Sequence, residues 1–376
     1  MKKRVHIVFA GGGTGGHLFP GLAVAEHLPA LLPEARITFV GSGKEFERRQ
    51  VADAGWAYAA TACRPLPRRI REAFSFVVQN VAGYLAAQQF LAAEHVDVVV
   101  GLGGYASVPL GQAASRRGVP LILLEQNAVA GRATRWLGRR ADLICLALEE
   151  ARRGLRCRCP VYVTGNPVRA AFQKCLQRPA RTAPPQLLVL GGSSGARSLN
   201  EGVLGTLSKL VPQIAGWRIV HQAGEADVET TRRLYQRLAL QATVVAFIAD
   251  MPEVLADSTL AVCRAGGTTL AELAVAGVPA VLLPYPHAAD DHQRRNAEIL
   301  AAAGAAILVD ERETPGRLED RLAEIIGPFL ASPDRRRQMS LAIRRLARPD
   351  AAAQVANLIR AIVVEKSCAI SIPTAA

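Results

Sequence analysis

An apolar run, Val5-His6-Ile7-Val8-Phe9-Ala10, breaks into Gly11-Gly12-Gly13-Thr14-Gly15-Gly16-His17, and the pattern returns 180 residues later, where Leu187-Leu188-Val189-Leu190 enters Gly191-Gly192-Ser193-Ser194-Gly195-Ala196. A strand that ends in glycines and opens a helix brings backbone close to an anion. Glycine lacks the Cβ that would block approach, and the first N–H groups of the helix face the ligand. One such turn constrains little, because many tight turns look alike. Two, each heading its own half of the chain, point to two nucleotide-type units. Unbroken Val/Ile/Leu runs recur at 37–40, 97–100, 121–124, 218–220, 243–247, 260–263, 280–283 and 306–309. Runs without alternation belong to strands buried on both faces, the parallel-sheet pattern. The expected fold class is α/β, with two Rossmann-like parallel-sheet domains. The 376 residues exceed what a single core usually holds, which agrees with two domains. The break is expected near Thr164-Gly165-Asn166-Pro167, with a proline-containing linker over Arg178–Gln186. This gives domains of 1–165 and 166–340, and a segment 341–376 in which the last helical pattern (roughly 335–365) packs back on the first domain before a frayed tail.

Charge narrows the partners. Lys and Arg number 45 against 32 Asp and Glu, a net +13, and residues 1–165 hold 21 basic against 12 acidic side chains. That bias suits an anionic partner for the first half: a membrane surface, a phosphorylated substrate or a nucleic acid. Nucleic acid fits worst, since the arginines are not interleaved with stacking aromatics, which make up only 5% of the chain. A genome that favours arginine accounts for part of the excess. Seven cysteines at 63, 145, 157, 159, 175, 263 and 368 form no C-x-x-C pair, and Cys157-Arg158-Cys159 is too close for a zinc knuckle. Reduced thiols of a cytosolic protein, without a metal, are expected. No signal peptide is expected either, and no uninterrupted apolar run reaches the ~18 residues a membrane span needs.

One segment departs from the α/β pattern. Arg64, Arg68, Arg69 and Arg71 precede a helical stretch that puts Phe74, Val77, Val78, Val81 and Leu85 on one face. A basic collar beside an apolar stripe describes an interfacial membrane helix; the same spacing describes an ordinary core helix with solvated arginines.

Four clusters carry chemistry. In Thr14-Gly15-Gly16-His17 a diphosphate or phosphorylated acceptor would sit on the helix start. There the positive end of the dipole disfavours imidazolium, so His17 is a base or simply a phosphate contact or cap. Gly101-Leu102-Gly103-Gly104-Tyr105-Ala106-Ser107-Val108-Pro109 follows a strand at the sheet edge where open α/β sheets bind ligands, or is a turn that needs positive φ. Glu125-Gln126-Asn127 emerges from strand 121–124 as a site or a helix cap. The richest runs from Arg264-Ala265-Gly266-Gly267-Thr268-Thr269-Leu270-Ala271-Glu272 through Pro284-Tyr285-Pro286-His287 to Gln293 and Asn296. Its helix start supplies N–H groups and hydroxyls for a diphosphate, Glu272 a carboxylate for ribose hydroxyls, and Gln293 a partner for sugar hydroxyls. A dinucleotide fingerprint is missing: Ile37–Val40 runs into Gly41-Ser42 with no acidic residue, and there is no P-loop lysine.

Taken in order, "GGGTGGHLFPGLAVAEHL", "GLGGYASVP", "EQN", "GNPVR", "LGGSSGARSLN", "FIADM" and "CRAGGTTLAELAVAGVPAVLLPYPHAADDHQRRNA" resemble the bacterial GlcNAc transferases of peptidoglycan synthesis, in glycosyltransferase family 28, from about residue 5 to 345. The resemblance implies a GT-B fold whose two domains face each other across a cleft. It also implies inverting transfer of GlcNAc from UDP-GlcNAc to the 4-hydroxyl of MurNAc in lipid I, forming the β-1,4 linkage of lipid II. The setting it implies is the cytoplasmic face of the cell membrane, with an anionic membrane surface and other cell-wall synthesis proteins as partners and no cofactor or metal. Catalytic candidates are His17, as base on the acceptor hydroxyl, and then Glu125. Carried over by motif, donor contacts are Thr14, Gly15, Gly16, Asn127, Arg169, Ser193, Ile248, Gly267, Thr268, Thr269, Leu270, Ala271, Glu272 and Gln293. In that set Ile248 offers backbone to the uracil, Glu272 faces the ribose, and Arg169 and Ser193 help the departing UDP. Gly103, Gly104 and Tyr105 form the acceptor side, and Arg68, Arg69, Arg71, Phe74 and Val78 the membrane patch. One departure stands out, because the family usually reads His-Glu-Gln-Asn where this chain has Leu124-Glu125-Gln126-Asn127. The rival readings are a related GT-B glycolipid synthase acting on a diacylglycerol-type acceptor, and a UDP-GlcNAc sensor without turnover.

Overall fold

The computed structural model describes residues 4–67, 69–176, 184–191 and 196–370, with only the backbone for 366–370. Arg68, Ser193 and most of the expected linker at 178–186 lie outside the described residues. The chain forms two compact units, Met1–Arg169 joined by Pro349–Ala376, and Ala170–Arg348.

The first unit holds a seven-stranded parallel sheet. Its strands are β1 (His6–Ala10), β2 (Arg36–Gly41), β3 (Ala57–Ala60), β4 (Val98–Gly101), β5 (Leu121–Glu125), β6 (Leu143–Leu146) and β7 (Val161–Val163), in the order β3-β2-β1-β4-β5-β6-β7. Phe9 lies opposite both Phe39 of β2 and Val100 of β4. Side chains alternate between two apolar layers. Ile7, Phe9, Val98, Val100 and Ile122 pack on one face with Leu18, Leu22 and Leu28, whereas Val8, Ala10, Val99, Leu121 and Leu123 pack on the other with Ala87, Leu110 and Ala113. Both layers are buried, which is why the strands read as unbroken apolar runs.

The second unit holds six parallel strands: β8 (Gln186–Leu190), β9 (Arg218–Gln222), β10 (Ala242–Val245), β11 (Leu260–Cys263), β12 (Ala280–Leu282) and β13 (Ala306–Leu308), in the order β10-β9-β8-β11-β12-β13. In each sheet the direction of strand addition reverses beside the first strand, between β1 and β4 and between β8 and β11. Loops leaving such a pair splay to opposite faces, and the opening at the strands' C-terminal ends is where ligands bind. Four of the glycine loops noted in the sequence leave these four strands.

Two expectations change. The single helical pattern expected at 335–365 is two helices, Pro333–Arg344 and Ala351–Ile370. They part at Pro349, which lacks an N–H and pushes the preceding residue out of helical geometry. The second joins the first unit's core, where Val355, Ala356, Ile359 and Val363 are buried with Leu18, Leu22 and Ala25. The other change concerns the apolar stripe. The Ala73–Ala93 helix buries only Gly83, Ala87 and Leu91. Phe74, Val77, Val78, Val81 and Leu85 are exposed, and Ile70 just before them is 95% exposed. The core-helix alternative for the stripe therefore fails, because the small residues face inward. Among the described residues no helix is long and apolar enough to cross a membrane.

Candidate active site

In the first unit the loop after β1 passes Gly11 at φ +149°, where a Cβ would stand 2.7 Å from the Cβ of Leu102. Only glycine lets the β1 and β4 loops touch so closely. Thr14 then takes the N-cap position of the Gly15–Leu31 helix, without a side-chain capping bond, and His17 falls in the helix's first turn. His17 Nδ1 lies 3.2 Å from Thr14 Oγ1. The ring also lies against the β4 loop, where Cβ atoms at Gly103 and Gly104 would lie 3.1 Å from His17 Cδ2 and 3.4 Å from Cε1 and Nδ1. Both glycines have positive φ, +85° and +70°, so the two readings of that loop are one: the turn needs glycine and also forms a wall for the imidazole. Tyr105 borders the same loop, its Cε1 3.5 Å from where a Cβ at Gly13 would be. His17, Thr14, Gly103, Gly104 and Tyr105 thus come together. Arg169 sets its guanidinium carbon 4.6 Å from the ring centroid of Phe19, on the same helix.

The β5 end is organised differently. Buried Gln126 donates from Nε2 to the carbonyl of Leu102 at 3.1 Å, tying β5 to the β4 loop. Glu125, 4% exposed, accepts from the Asn127 N–H at 3.2 Å, Asn127 Nδ2 at 3.3 Å and the Gly131 N–H at 2.8 Å. Its carboxylate shapes the 126–131 turn, and three donors occupy it. Leu124, at the position of the family's usual histidine, is buried in the apolar layer with Phe9 and Val100.

Sequence reasoning missed Glu47. Fully buried in the Glu45–Asp53 helix, it accepts from the Gly13 N–H, from the Ser42 N–H at 2.8 Å, from Ser42 Oγ at 2.6 Å and from Tyr58 Oη at 2.6 Å. Burial, and then the bond to Glu47, raises the Tyr58 phenol's pKa well above its usual value. A carboxylate of this chain therefore takes an N–H of the glycine loop. The only advance signal was an acidic residue shortly after the second strand, amid charges that read as a solvated face.

In the second unit the Gly267–Ala276 helix starts at the end of β11. Gly267, Thr269 and Ala271 are part-exposed there, while Thr268, Leu270 and Glu272 are buried. Two side chains hold this helix start in place. Asn296 Nδ2 donates to the carbonyl of Ala265 at 3.0 Å. Arg264 donates to the carbonyl of Leu283 at 3.1 Å and to Ser198 Oγ at 2.8 Å, and pairs with Glu311 with both side chains about nine-tenths buried. Gln293 Oε1 accepts the Tyr285 N–H at 2.9 Å, fixing the loop after β12. At the far end of the helix, Gly277 closes in the left-handed conformation and Arg344 donates to the Ala276 carbonyl at 3.2 Å, placing a cation on the negative end of the dipole. Ile248 is buried, and its N–H is taken by Gln222 Oε1 at 2.9 Å.

Comparison with known proteins decides the family. The Glycosyltransferase family 28 N-terminal domain matches residues 7–145, and the family 28 C-terminal domain matches residues 186–355. The UDP-N-acetylglucosamine--N-acetylmuramyl-(pentapeptide) pyrophosphoryl-undecaprenol N-acetylglucosamine transferase of Syntrophotalea carbinolica is 39% identical over 94% of this chain and 98% of its own. The chain belongs to glycosyltransferase family 28. A family 28 relative of the same name from Myxococcus xanthus is 36% identical, covering 96% of this chain and 93% of its own. The crystal structure of Acinetobacter baumannii MurG shares 31% identity at a TM-score of 0.72, over 95% of this chain and 99% of that one. The fold is thus the GT-B arrangement of family 28, and the chain is a UDP-sugar glycosyltransferase. A putative UDP-N-acetylglucosamine 2-epimerase from Listeria monocytogenes matches at a TM-score of 0.71 with 15% identity, a likeness of fold alone.

Proposed function

We propose that this chain transfers GlcNAc from UDP-GlcNAc to the 4-hydroxyl of MurNAc in undecaprenyl-pyrophosphoryl-MurNAc-pentapeptide, lipid I, inverting the anomeric centre to give lipid II. The observation that carries this reading is identity of 36–39% over nearly the whole chain to transferases of that name. The His17 site supports it. Inverting displacement needs a base on the attacking hydroxyl and charge stabilisation for the leaving diphosphate. In this reading His17, whose Nδ1 lies 3.2 Å from Thr14 Oγ1, takes the proton of the sugar hydroxyl. Gly103, Gly104 and Tyr105 line the acceptor side. In the second unit the Gly267–Thr269 helix start meets the UDP diphosphate with its N–H groups, Glu272 serves the ribose, the Ile248 carbonyl accepts from uracil N3–H, and Gln293 is turned to the donor sugar. Thr14, Gly15, Gly16, Asn127, Arg169 and Ser193 complete the donor contacts. Glu125, occupied by three donors, acts by shaping the turn that carries Asn127.

The chain works at the cytoplasmic face of the membrane, held by the exposed stripe and by Arg69 and Arg71. An Ile70→Ser, Phe74→Ser variant is expected to lose at least about 10-fold in partition onto anionic vesicles, given ~1.5–3 kcal/mol per buried large apolar side chain. Sedimentation with phosphatidylglycerol vesicles measures this, and unchanged partition removes the stripe from membrane contact. The function itself is tested with labelled UDP-GlcNAc and a short-chain lipid I analogue, alongside diacylglycerol. Labelled disaccharide-lipid supports the reading; sugar on diacylglycerol alone replaces it with the glycolipid synthase; UDP-GlcNAc binding without product on either acceptor replaces it with the sensor.

A further inference from the structure

The buried carboxylate of Glu47 has no place in the chemistry described so far, yet it sits under the loop that carries the base. Four neutral donors converge on it: the Gly13 N–H, the Ser42 N–H, Ser42 Oγ and Tyr58 Oη. The glycine loop packs directly on it, since a Cβ at Gly12 would stand 2.7 Å from Glu47 Oε1. Lys44, three residues before it, donates from Nζ to the carbonyl of Gly13 at 2.8 Å, so both backbone groups of Gly13 are held from this one helix start. The next residue is Thr14, whose hydroxyl meets His17 Nδ1. Gly12 in turn presents its carbonyl 3.3 Å from the Cβ position of Gly104, the residue against the imidazole.

We infer that Glu47 is a positioning residue for the transfer reaction: by holding Gly13 it fixes Thr14, and through Thr14 the orientation of His17. This rests on the reading of His17 as the base. A carboxylate suits the task and an amide does not. Each oxygen of Glu47 takes two donors, whereas glutamine offers one oxygen and turns an NH2 toward N–H and O–H donors. A substrate phosphate would satisfy Gly13 only when bound, while an internal carboxylate holds the loop before the acceptor arrives.

The test is a double-mutant cycle of Glu47→Gln with His17→Ala, read as kcat for GlcNAc transfer to the lipid I analogue. Glu47→Gln in the otherwise native chain is expected to lower kcat about 10- to 100-fold, the scale of an ångström-size misplacement, with UDP affinity falling much less than kcat because Thr14 is only one of many donor contacts. In the His17→Ala background it is expected to add less than two-fold, because there is no base left to misplace. A loss of the same size in both backgrounds overturns the proposal, as does equal loss of UDP affinity and kcat. Should Glu47→Gln fail to fold, Tyr58→Phe removes one of the four donors and keeps the packing; its smaller loss in kcat must vanish in the His17→Ala background in the same way. Failure of the native chain to glycosylate lipid I counts against the proposed function, and that is seen before any variant is compared.

Discussion

His17→Ala is expected to slow GlcNAc transfer about 10²- to 10⁴-fold while leaving UDP bound to the second unit with unchanged affinity. The expectation follows from where the imidazole sits. It lies in the first turn of the Gly15–Leu31 helix, with Nδ1 on Thr14 and its edge against the backbone of Gly103 and Gly104. The measurement is single-turnover transfer to a lipid I analogue with UDP affinity followed by calorimetry. Transfer at the native rate would move the base elsewhere, whereas joint loss of affinity and rate would make His17 a donor contact.

The second large effect is on stability, and it comes from His221. This fully buried imidazole accepts from Tyr235 Oη at Nδ1 and donates from Nε2 to Asn200 Oδ1, both at 3.0 Å. Asn200 in turn donates to the Ala223 carbonyl, which fixes which way its amide points. Every site in this chain is filled with the ring neutral, and burial lowers its pKa from 6.5 to about 3. The unfolded chain protonates His221 near pH 6.5 and the folded chain does not. Its contribution is therefore complete above pH 6.5 and is lost as pH falls from there toward 3. By pH 5 the loss amounts to about 2 kcal/mol. Urea unfolding at pH 7.5 and pH 5.0 reports it through Trp217, which packs on the second unit's core. A His221→Gln variant is expected to be less stable at pH 7.5 yet nearly flat between the two. Equal acid sensitivity in native and variant chains would assign the effect to other groups.

The sequence showed the architecture wherever a strand is buried on both faces, since the period disappears and the apolar run stands out. It was silent on β3, β6 and β7. Ala57-Tyr58-Ala59-Ala60 has little strand preference of its own and becomes a strand because Phe39 and Val40 are already there to pair with it. Val161–Val163 is three residues at a sheet edge, paired only to β6. The site followed the same division. Glycine loops, and His17 with them, were legible because the loops follow the apolar strand runs directly along the chain and recur at the head of each half. Glu47 and the Arg264–Glu311 pair were not, because each takes its meaning from a partner far along the chain: Glu47 from the Gly13 N–H and Arg264 from Glu311. In Glu45–Asp53, Glu45, Glu47, Arg48, Arg49 and Asp53 are all charged, and nothing local says that one carboxylate turns inward.

The Ala351–Ile370 helix completes the first unit's apolar layer, so that unit's core is written at both ends of the chain. A ribosome releases Leu18, Leu22 and Ala25 long before Val355, Ala356, Ile359 and Val363 exist to cover them. The second unit, encoded wholly between, can close while the first still shows an open apolar face. The first unit's apolar layer can therefore close only once residue 363 has been made, however early its other strands and helices form.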